Sequence, residues 1–378
     1  MSTSDRFQPV EEMILRYIRA GIPAVQLVVR QRGETVYHGA FGTLNPQQPD
    51  STTDETSRFD MASVTKLFTS TTFMRLVGRG AVILDQPVST VLPAFSGVRP
   101  VQAYEDPLSP GGLVTVDERG GEVDASMVTF RHLLSHSSGL PAWRPLFRQA
   151  DADHARDMAL RTFFSYQPGA DTVYSDLGLI LIGMAVEELS GLRLDKAVKQ
   201  LVLDPLLLKH TGFIPLDESH TSQGFAATEW CDWRNRRVIG EVHDENAWRM
   251  NGIAGHAGIF STAADLAAFG QVFLDSGAPL LDTSLVQQMT SLQFEKGDLR
   301  RGLGFQLRSP DIESSGYVFS DSAFGHTGFT GTSLWVDPSR QTVVALLSNE
   351  VYRGRKDRIV LPFRVDIHKR IVRALDTV

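Results

Sequence analysis

Three short groups of residues carry side chains suited to acyl chemistry: Ser63-Val64-Thr65-Lys66, Tyr174-Ser175-Asp176 and His326-Thr327-Gly328. A serine hydroxyl is a weak nucleophile until a base takes its proton. A residue three places along a helix lies about one turn away on the same face, so Lys66 can reach the Ser63 hydroxyl. If burial lowers the lysine pKa, the amine can accept that proton, and the free N–H groups at a helix start favour a developing oxyanion. Val64, Leu67, Phe68, Thr71 and Met74 recur at helical spacing and Gly78 and Gly80 mark an end, so Ser63 is expected to start a largely buried helix. The plainer alternative makes Ser63 an N-cap and Lys66 a solvated residue. Of the seven lysines, only Lys66 has a serine three places before it.

Tyr174-Ser175-Asp176 directly precedes an apolar run, Leu177, Ile180, Leu181 and Met184, which Ser190-Gly191 stops. Ser175 or Asp176 can cap that helix. The chemical reading places the Tyr174 hydroxyl beside Ser63 in a proton relay, where a lysine ammonium would lower its pKa. Asp176 could cap and also face Lys66. In Gly325-His326-Thr327-Gly328-Phe329-Thr330-Gly331, glycines at intervals of three weaken a strand and suit close approach by another backbone or a ligand. A substrate could pair with this edge like an added strand, with His326 and Thr327 offering polar groups. The alternative is a bulge or turn leading into a core strand.

Other chemistries lack their signatures. No GxSxG, GxGxxG or Gly-Lys pair occurs, and His132 is followed by Leu133, not by the Glu of HExxH. The single cysteine, Cys231, excludes an intrachain disulfide and a multi-cysteine zinc site. We therefore expect no cofactor and no metal. The chain of 378 residues has a net charge of −7, which disfavours a nucleic-acid partner. Its hydrophobic fraction of 42% and charged fraction of 21% are those of a folded protein. The polar start, Met1 to Pro9, lacks the features of a secretory signal, and no long apolar run is present. A cytoplasmic location without membrane contact is the expectation, with the oligomeric state left open.

The elements that must position these residues are legible in outline. Val10 to Ala20 reads as an amphipathic helix, and Ala24 to Arg30 with Thr35 to Phe41 as a hairpin around Gln31-Arg32-Gly33-Glu34. Ser333 to Val336 and Gln341 to Leu347 form a second strand pair, followed by a helix from Val365 to Leu375. One sheet built from both chain ends explains this symmetry, with the middle inserted. In that middle, Thr262 to Leu274 reads as a helix opened by a capping box of Thr262 and Asp265. Ser96 to Val128 reads as a surface excursion with hairpin character near a site entrance. Val242 to Asn246 and Gly255 to Gly258 read as a hydrogen-bonded loop network, the alternative being a cleft wall that contacts substrate, and Trp230, Trp233 and Trp248 as core packing, the alternative being an acyl-binding wall.

Taken together, the three groups resemble the S-x-x-K, Y-x-N and K/H-T-G set of the penicillin-recognising serine hydrolases, in the branch holding class C β-lactamases, some DD-peptidases and related esterases. Phe130 to Leu140, Gly255 to Leu266 and Phe324 to Asn349 also resemble that branch, so the likeness spans about Ile22 to Ala374. The resemblance implies an α/β fold of the α+β, β-lactamase/transpeptidase-like type. A central antiparallel sheet would be flanked by N- and C-terminal helices and carry an inserted, mainly helical lobe. The whole chain would be one such domain, with a sheet lobe of about 1–85 plus 295–378 and a helical lobe of about 86–294. It implies Ser63 as acylated nucleophile, Lys66 and Tyr174 as general-base pair, and Asp176, His326, Thr327, Gly328 and Phe329 as substrate-binding residues. The backbone N–H groups of Ser63 and Phe329 would form the oxyanion hole.

Two residues depart from the commonest pattern. Asp176 replaces Asn, so it offers only acceptors when ionised and would hold Lys66 protonated, leaving Tyr174 as the base. His326 replaces a lysine, and a neutral imidazole attracts a carboxylate less than an ammonium does. With the polar chain start, these favour a serine hydrolase of small esters or amides over a β-lactamase or D-alanyl-D-alanine carboxypeptidase. A catalytically inactive penicillin-binding-like sensor is the remaining alternative.

Overall fold

The computed structural model describes residues 3–107, 109, 111–117, 121–311 and 315–376. Its centre is an eight-stranded antiparallel sheet. In spatial order the strands are Phe294–Lys296, Leu299–Arg301, Gln306–Leu307, Phe324–Thr327, Ser333–Asp337, Thr342–Ser348, Ala24–Gln31 and Glu34–Gly42. The hairpin near the chain start and the strands near its end share this sheet: Leu27 faces Leu346 and Val29 faces Val344.

Alternation along the central strands divides the apolar residues between two faces. Val25, Leu27, Val29, Trp335, Val344 and Leu346 point outward, to be covered by Phe7, Val10 and Ile14 of the helix Thr3–Ala20 and by Phe363, Ile367 and Ile371 of the helix Val360–Asp376. The first helix begins earlier than its clearest periodicity suggests and holds Pro9 within it. Burying each of these large side chains contributes roughly 1.5–3 kcal/mol before chain entropy is counted. Met1 and Ser2 lie outside the described residues.

The opposite face carries Val28, Leu334, Val336, Val343, Ala345 and Leu347, packed beneath the helix Ala263–Leu274. Thr262 caps that helix by accepting from the Asp265 N–H. The expected reciprocal half of the box is absent, because the Asp265 carboxylate instead accepts from His210 N and Thr211 Oγ1. Beyond it, the helices Thr65–Gly78 and Asp176–Ser190 pack on each other. Both are buried almost all round, as is required of helices inside a core.

A short three-stranded sheet of Phe59–Asp60, Ile259–Ser261 and Gly212–Phe213 sets Asp60 just before the first motif. In the 96–128 excursion, Val98–Pro100 pairs with Glu122–Asp124 and Tyr104–Glu105 with Leu113–Val114, a stepped hairpin. Residues 108, 110 and 118–120 of that excursion lie outside the described residues.

Candidate active site

Ser63 sits in a single 3-10 turn, Ala62–Val64, that feeds the helix Thr65–Gly78; its side chain caps nothing. The turn is strained. Ala62 has φ 46°, in the left-handed region that residues with a Cβ avoid. The buried Asp60 carboxylate holds it there, accepting from Ala62 N at 2.7 Å and from His243 N at 2.6 Å.

Lys66 is fully buried one turn on. Its Nζ donates to Ser63 Oγ at 2.9 Å and to the His256 carbonyl at 3.1 Å, and it lies 2.8 Å from Asp176 Oδ1. Burial alone pulls the Lys66 pKa down, but the Asp176 carboxylate and Tyr174 outweigh it, and the net direction is up. Lys66 is therefore an ammonium at neutral pH.

Tyr174 closes the group. Lys66 Nζ sits 5.0 Å from the centre of its ring, and its buried hydroxyl makes no well-aligned hydrogen bond. Its environment corrects the expected lowering of its pKa. Burial, joined by the Asp176 charge, raises it despite the opposing Lys66 ammonium. Ser175 is the N-cap residue of the helix that Asp176 begins, but its hydroxyl donates to Pro141 O and does not cap. The turn is held instead by His136, whose Nδ1 accepts from Ser175 N at 3.1 Å. Burial, with Arg301 and Lys66 nearby, depresses the His136 pKa well below the imidazole range, so the ring is neutral.

His326 lies on the strand Phe324–Thr327 with its ring 5.8 Å from that of Tyr174. Its Nδ1–H donates to Thr327 O, its Nε2 has no partner, and burial together with Lys66 and Arg301 pushes its pKa down to about 3. It is thus a neutral imidazole beside Tyr174 and not a cation offered to substrate. Thr327 is part-exposed at the strand end. Gly328 is required there: a Cβ would stand 2.2 Å from Thr332 Oγ1 and 2.5 Å from the Met61 carbonyl. The close approach that the glycine spacing predicts is therefore between this loop and the nucleophile turn. Thr330 Oγ1 and Thr332 Oγ1 donate to Asp60 O and Met61 O. Arg364 donates to the carbonyls of Gly328 and Thr332 and Arg358 to that of Phe329. Neither Ser63 N nor Phe329 N donates to any other group among the described residues.

The polar segments around His243 and His256 form a supporting network. His256 Nε2 pairs with Asp244 at 2.8 Å, and His243 Nε2 with Glu229 at 2.7 Å. Ligand atoms of Asp176, Asp244 and His256 come within 4.8 Å of one another, a donor set that could hold a cation. The Lys66 ammonium already supplies positive charge at Asp176, and His256 Nε2 is engaged with Asp244. Core packing describes Trp248, which is partly buried against the main core, but not Trp230 and Trp233, which are 48% and 41% exposed. Trp233 meets Trp248 edge-on at 4.9 Å and continues through Phe147 to Trp143, next to Ala142, whose carbonyl accepts from Asp176 N.

Sequence reasoning missed Asp60, His136, Arg301 and Arg364. Arg301, on the strand Leu299–Arg301, places its guanidinium 5.3 Å from the Tyr174 ring. Asp60, Arg301 and Arg364 stand in no recognisable motif, and His136, though within the Phe130 to Leu140 segment, has no role assigned by it; only the tertiary structure brings the four to the site.

Comparison with known proteins places the chain in a family. A family model described as Beta-lactamase matches residues 9–369. An "N-acetylmuramyl-L-alanine amidase" of Bacillus subtilis (strain 168) is 32% identical, over 92% of this chain and 82% of its own. Among solved structures, "EstCE1, a hydrolase with promiscuous acyltransferase activity" superposes with a TM-score of 0.74 at 19% identity, covering 98% of this chain and 99% of that one. "A class C beta-lactamase" gives 0.74 at 17% identity, covering 99% and 97%. The fold is the β-lactamase/transpeptidase-like one, and the chain, a serine acyl hydrolase, belongs to the β-lactamase family.

Proposed function

We propose that this enzyme hydrolyses small esters or amides through an acyl-enzyme on Ser63, with Lys66 and Tyr174 as the proton-transfer pair. The observation that carries the reading is the 2.9 Å hydrogen bond from Lys66 Nζ to Ser63 Oγ, with Tyr174 packed over the same ammonium. Ser63 Oγ attacks the substrate carbonyl carbon while the hydroxyl proton passes to the Lys66–Tyr174 pair. The oxyanion meets the Ser63 and Phe329 N–H groups. Collapse breaks the bond to the leaving group, which takes the proton back, and water then releases the acyl group by the reverse relay. Both pair members hold their protons at neutral pH, so the reactive form is the fraction that has lost one.

Asp176 supplies no N–H donor to a substrate amide carbonyl, which sets β-lactams below esters and simple amides. The amide reading gains support from the Bacillus subtilis relative named for an amidase. The aromatic row of half-buried Trp143 and Phe147 and exposed Trp233, which starts next to the Ala142 carbonyl that accepts from Asp176 N, suits a substrate with a flat or ring-shaped portion. Intact-protein mass spectrometry with a fluorophosphonate, a penicillin and an ester and amide panel tests the assignment. The fluorophosphonate adduct must map to Ser63, and Ser63→Ala must abolish both adduct and turnover. Full turnover by that variant would refute the nucleophile, and rapid deacylation of the penicillin adduct would favour the β-lactamase alternative.

A further inference from the structure

We propose that Arg364 is a positioning residue for the oxyanion: its buried charge polarises the Gly328–Phe329 peptide and makes the Phe329 N–H a stronger donor. The proposal rests on the acyl-hydrolase reading above and gives that reaction a further residue, one that never touches substrate.

A peptide unit is a single delocalised group, and the Gly328 carbonyl and the Phe329 N–H are the two ends of one. The N–H end donates to no group among the described residues and is the donor assigned to the oxyanion. The carbonyl end is occupied. Arg364, on the helix Val360–Asp376, donates from Nη2 to Gly328 O at 2.6 Å and to Thr332 O at 2.7 Å. Gly328 N donates to the same Thr332 carbonyl at 2.7 Å, so one nitrogen of the guanidinium ties both ends of the turn. A cation at the carbonyl oxygen draws electron density away from the amide nitrogen, and hydrogen bonds linked in such a chain strengthen one another.

The charge matters beyond the two bonds. Arg364 is 6% exposed and makes no ion pair among the described residues. A neutral amide could hold two carbonyls without the desolvation cost that a buried guanidinium carries. Burial, with Arg358 nearby, pulls the Arg364 pKa down to about 9, which leaves it a cation at neutral pH. The Glu350 carboxylate is bound to Arg358 and to Ile359 N, so it does not pair with Arg364. The charge is felt across the cleft: behind burial, Lys66 and Arg301, it is a further cause of the neutral state of His326. Positive charge therefore stands behind the peptide whose other end faces the developing negative charge, in a site already shaped before substrate arrives.

The test separates charge from bond-making. Arg364→Lys keeps a cation able to bond carbonyls, while Arg364→Gln and Arg364→Met remove the charge. Each is assayed on a 4-nitrophenyl ester and on its thiono analogue, whose sulfur accepts hydrogen bonds poorly. Rates are normalised to active sites titrated with a fluorophosphonate, so a partly unfolded preparation still reports. Deleting an oxyanion donor outright costs about 10²–10³-fold in kcat. Weakening one should lower kcat by about tenfold in both neutral variants, with KM within about twofold. The ratio of ester to thionoester rates should fall severalfold with it, and Arg364→Lys should recover most of both. A wild-type kcat or an unchanged ratio in the neutral variants, or Arg364→Lys no better than Arg364→Met, would overturn the proposal. Turnover that survives Ser63→Ala would instead sink the acyl-hydrolase reading, whatever the Arg364 variants show.

Discussion

Lys66 Nζ lies 2.8 Å from Asp176 Oδ1, and this contact decides the resting protonation of the site. Without it, burial would lower the lysine pKa, as a general base requires; with it, the direction reverses. The same carboxylate also raises the Tyr174 pKa. If the reactive form is the one that has lost a proton, kcat/KM must rise with pH through an alkaline limb. Asp176→Asn removes the negative charge and leaves desolvation of Lys66 unopposed, so the limb should move to lower pH. A pH–rate profile with an uncharged ester measures it. A limb that stays in place would detach Asp176 from the proton relay.

The Tyr174 hydroxyl is buried without a well-aligned partner in the resting enzyme, so stability gains little from it. Tyr174→Phe should therefore leave the melting temperature nearly unchanged while kcat falls about 10²–10⁴-fold, the usual worth of a positioned proton-transfer group. A variant with normal kcat would remove Tyr174 from the mechanism. One that lost activity only in step with stability would reduce it to a packing residue.

How much of this was legible beforehand follows from the range of each signal. Ser63 and Lys66 are one turn apart on one helix, and Tyr174 and Asp176 flank one helix start, so local spacing exposes them. The central strands alternate with period two, which reveals the shared sheet of the two chain ends. The charge states were less accessible. A lysine beside an aspartate reads as protonated in sequence, but the raised pKa of Tyr174 comes from burial, which no local pattern reports. His326 reads as a substrate contact in the sequence, but the burial beside Lys66 and Arg301 that keeps its ring neutral has no local pattern. Trp230 and Trp233 reverse the usual link between large aromatics and burial. Asp60 and Arg301 are single residues whose neighbours come from distant segments, so only tertiary contacts identify them.

Asp60 acts on Ser63 through the strained Ala62 turn. Its carboxylate holds two buried N–H groups, one from Ala62 and one from His243. Asp60→Ala orphans both, at about 1–3 kcal/mol each, and releases the turn. Thermal unfolding should show a loss of several degrees, and kcat should fall in whatever fraction stays folded. Asp60→Asn keeps one carboxamide oxygen as acceptor and should lie between wild type and Asp60→Ala in both readings. Equal stability of the three proteins would mean that the turn is held by other contacts, such as Thr330 and Thr332 on the Asp60 and Met61 carbonyls.

His368 offers a stability test away from the chemistry. It lies buried in the helix Val360–Asp376 with Nδ1 bonded to Ser315 O at 2.7 Å, and burial pushes its pKa down to about 4. In the unfolded chain a histidine titrates near pH 6.5. Below that pH the unfolded state binds a proton that the folded state refuses, so stability falls as pH drops from about 6.5 to about 4. The full cost is present only below the folded value. One such group contributes a slope of up to about 1.4 kcal/mol per pH unit in that window. Urea unfolding of the wild type and His368→Gln at pH 7, 6 and 5 measures the difference. The variant should lose stability at pH 7, where the wild type carries no titration cost, and the gap should narrow towards pH 5. Parallel pH curves for the two proteins would show that His368 does not titrate between the folded and unfolded states.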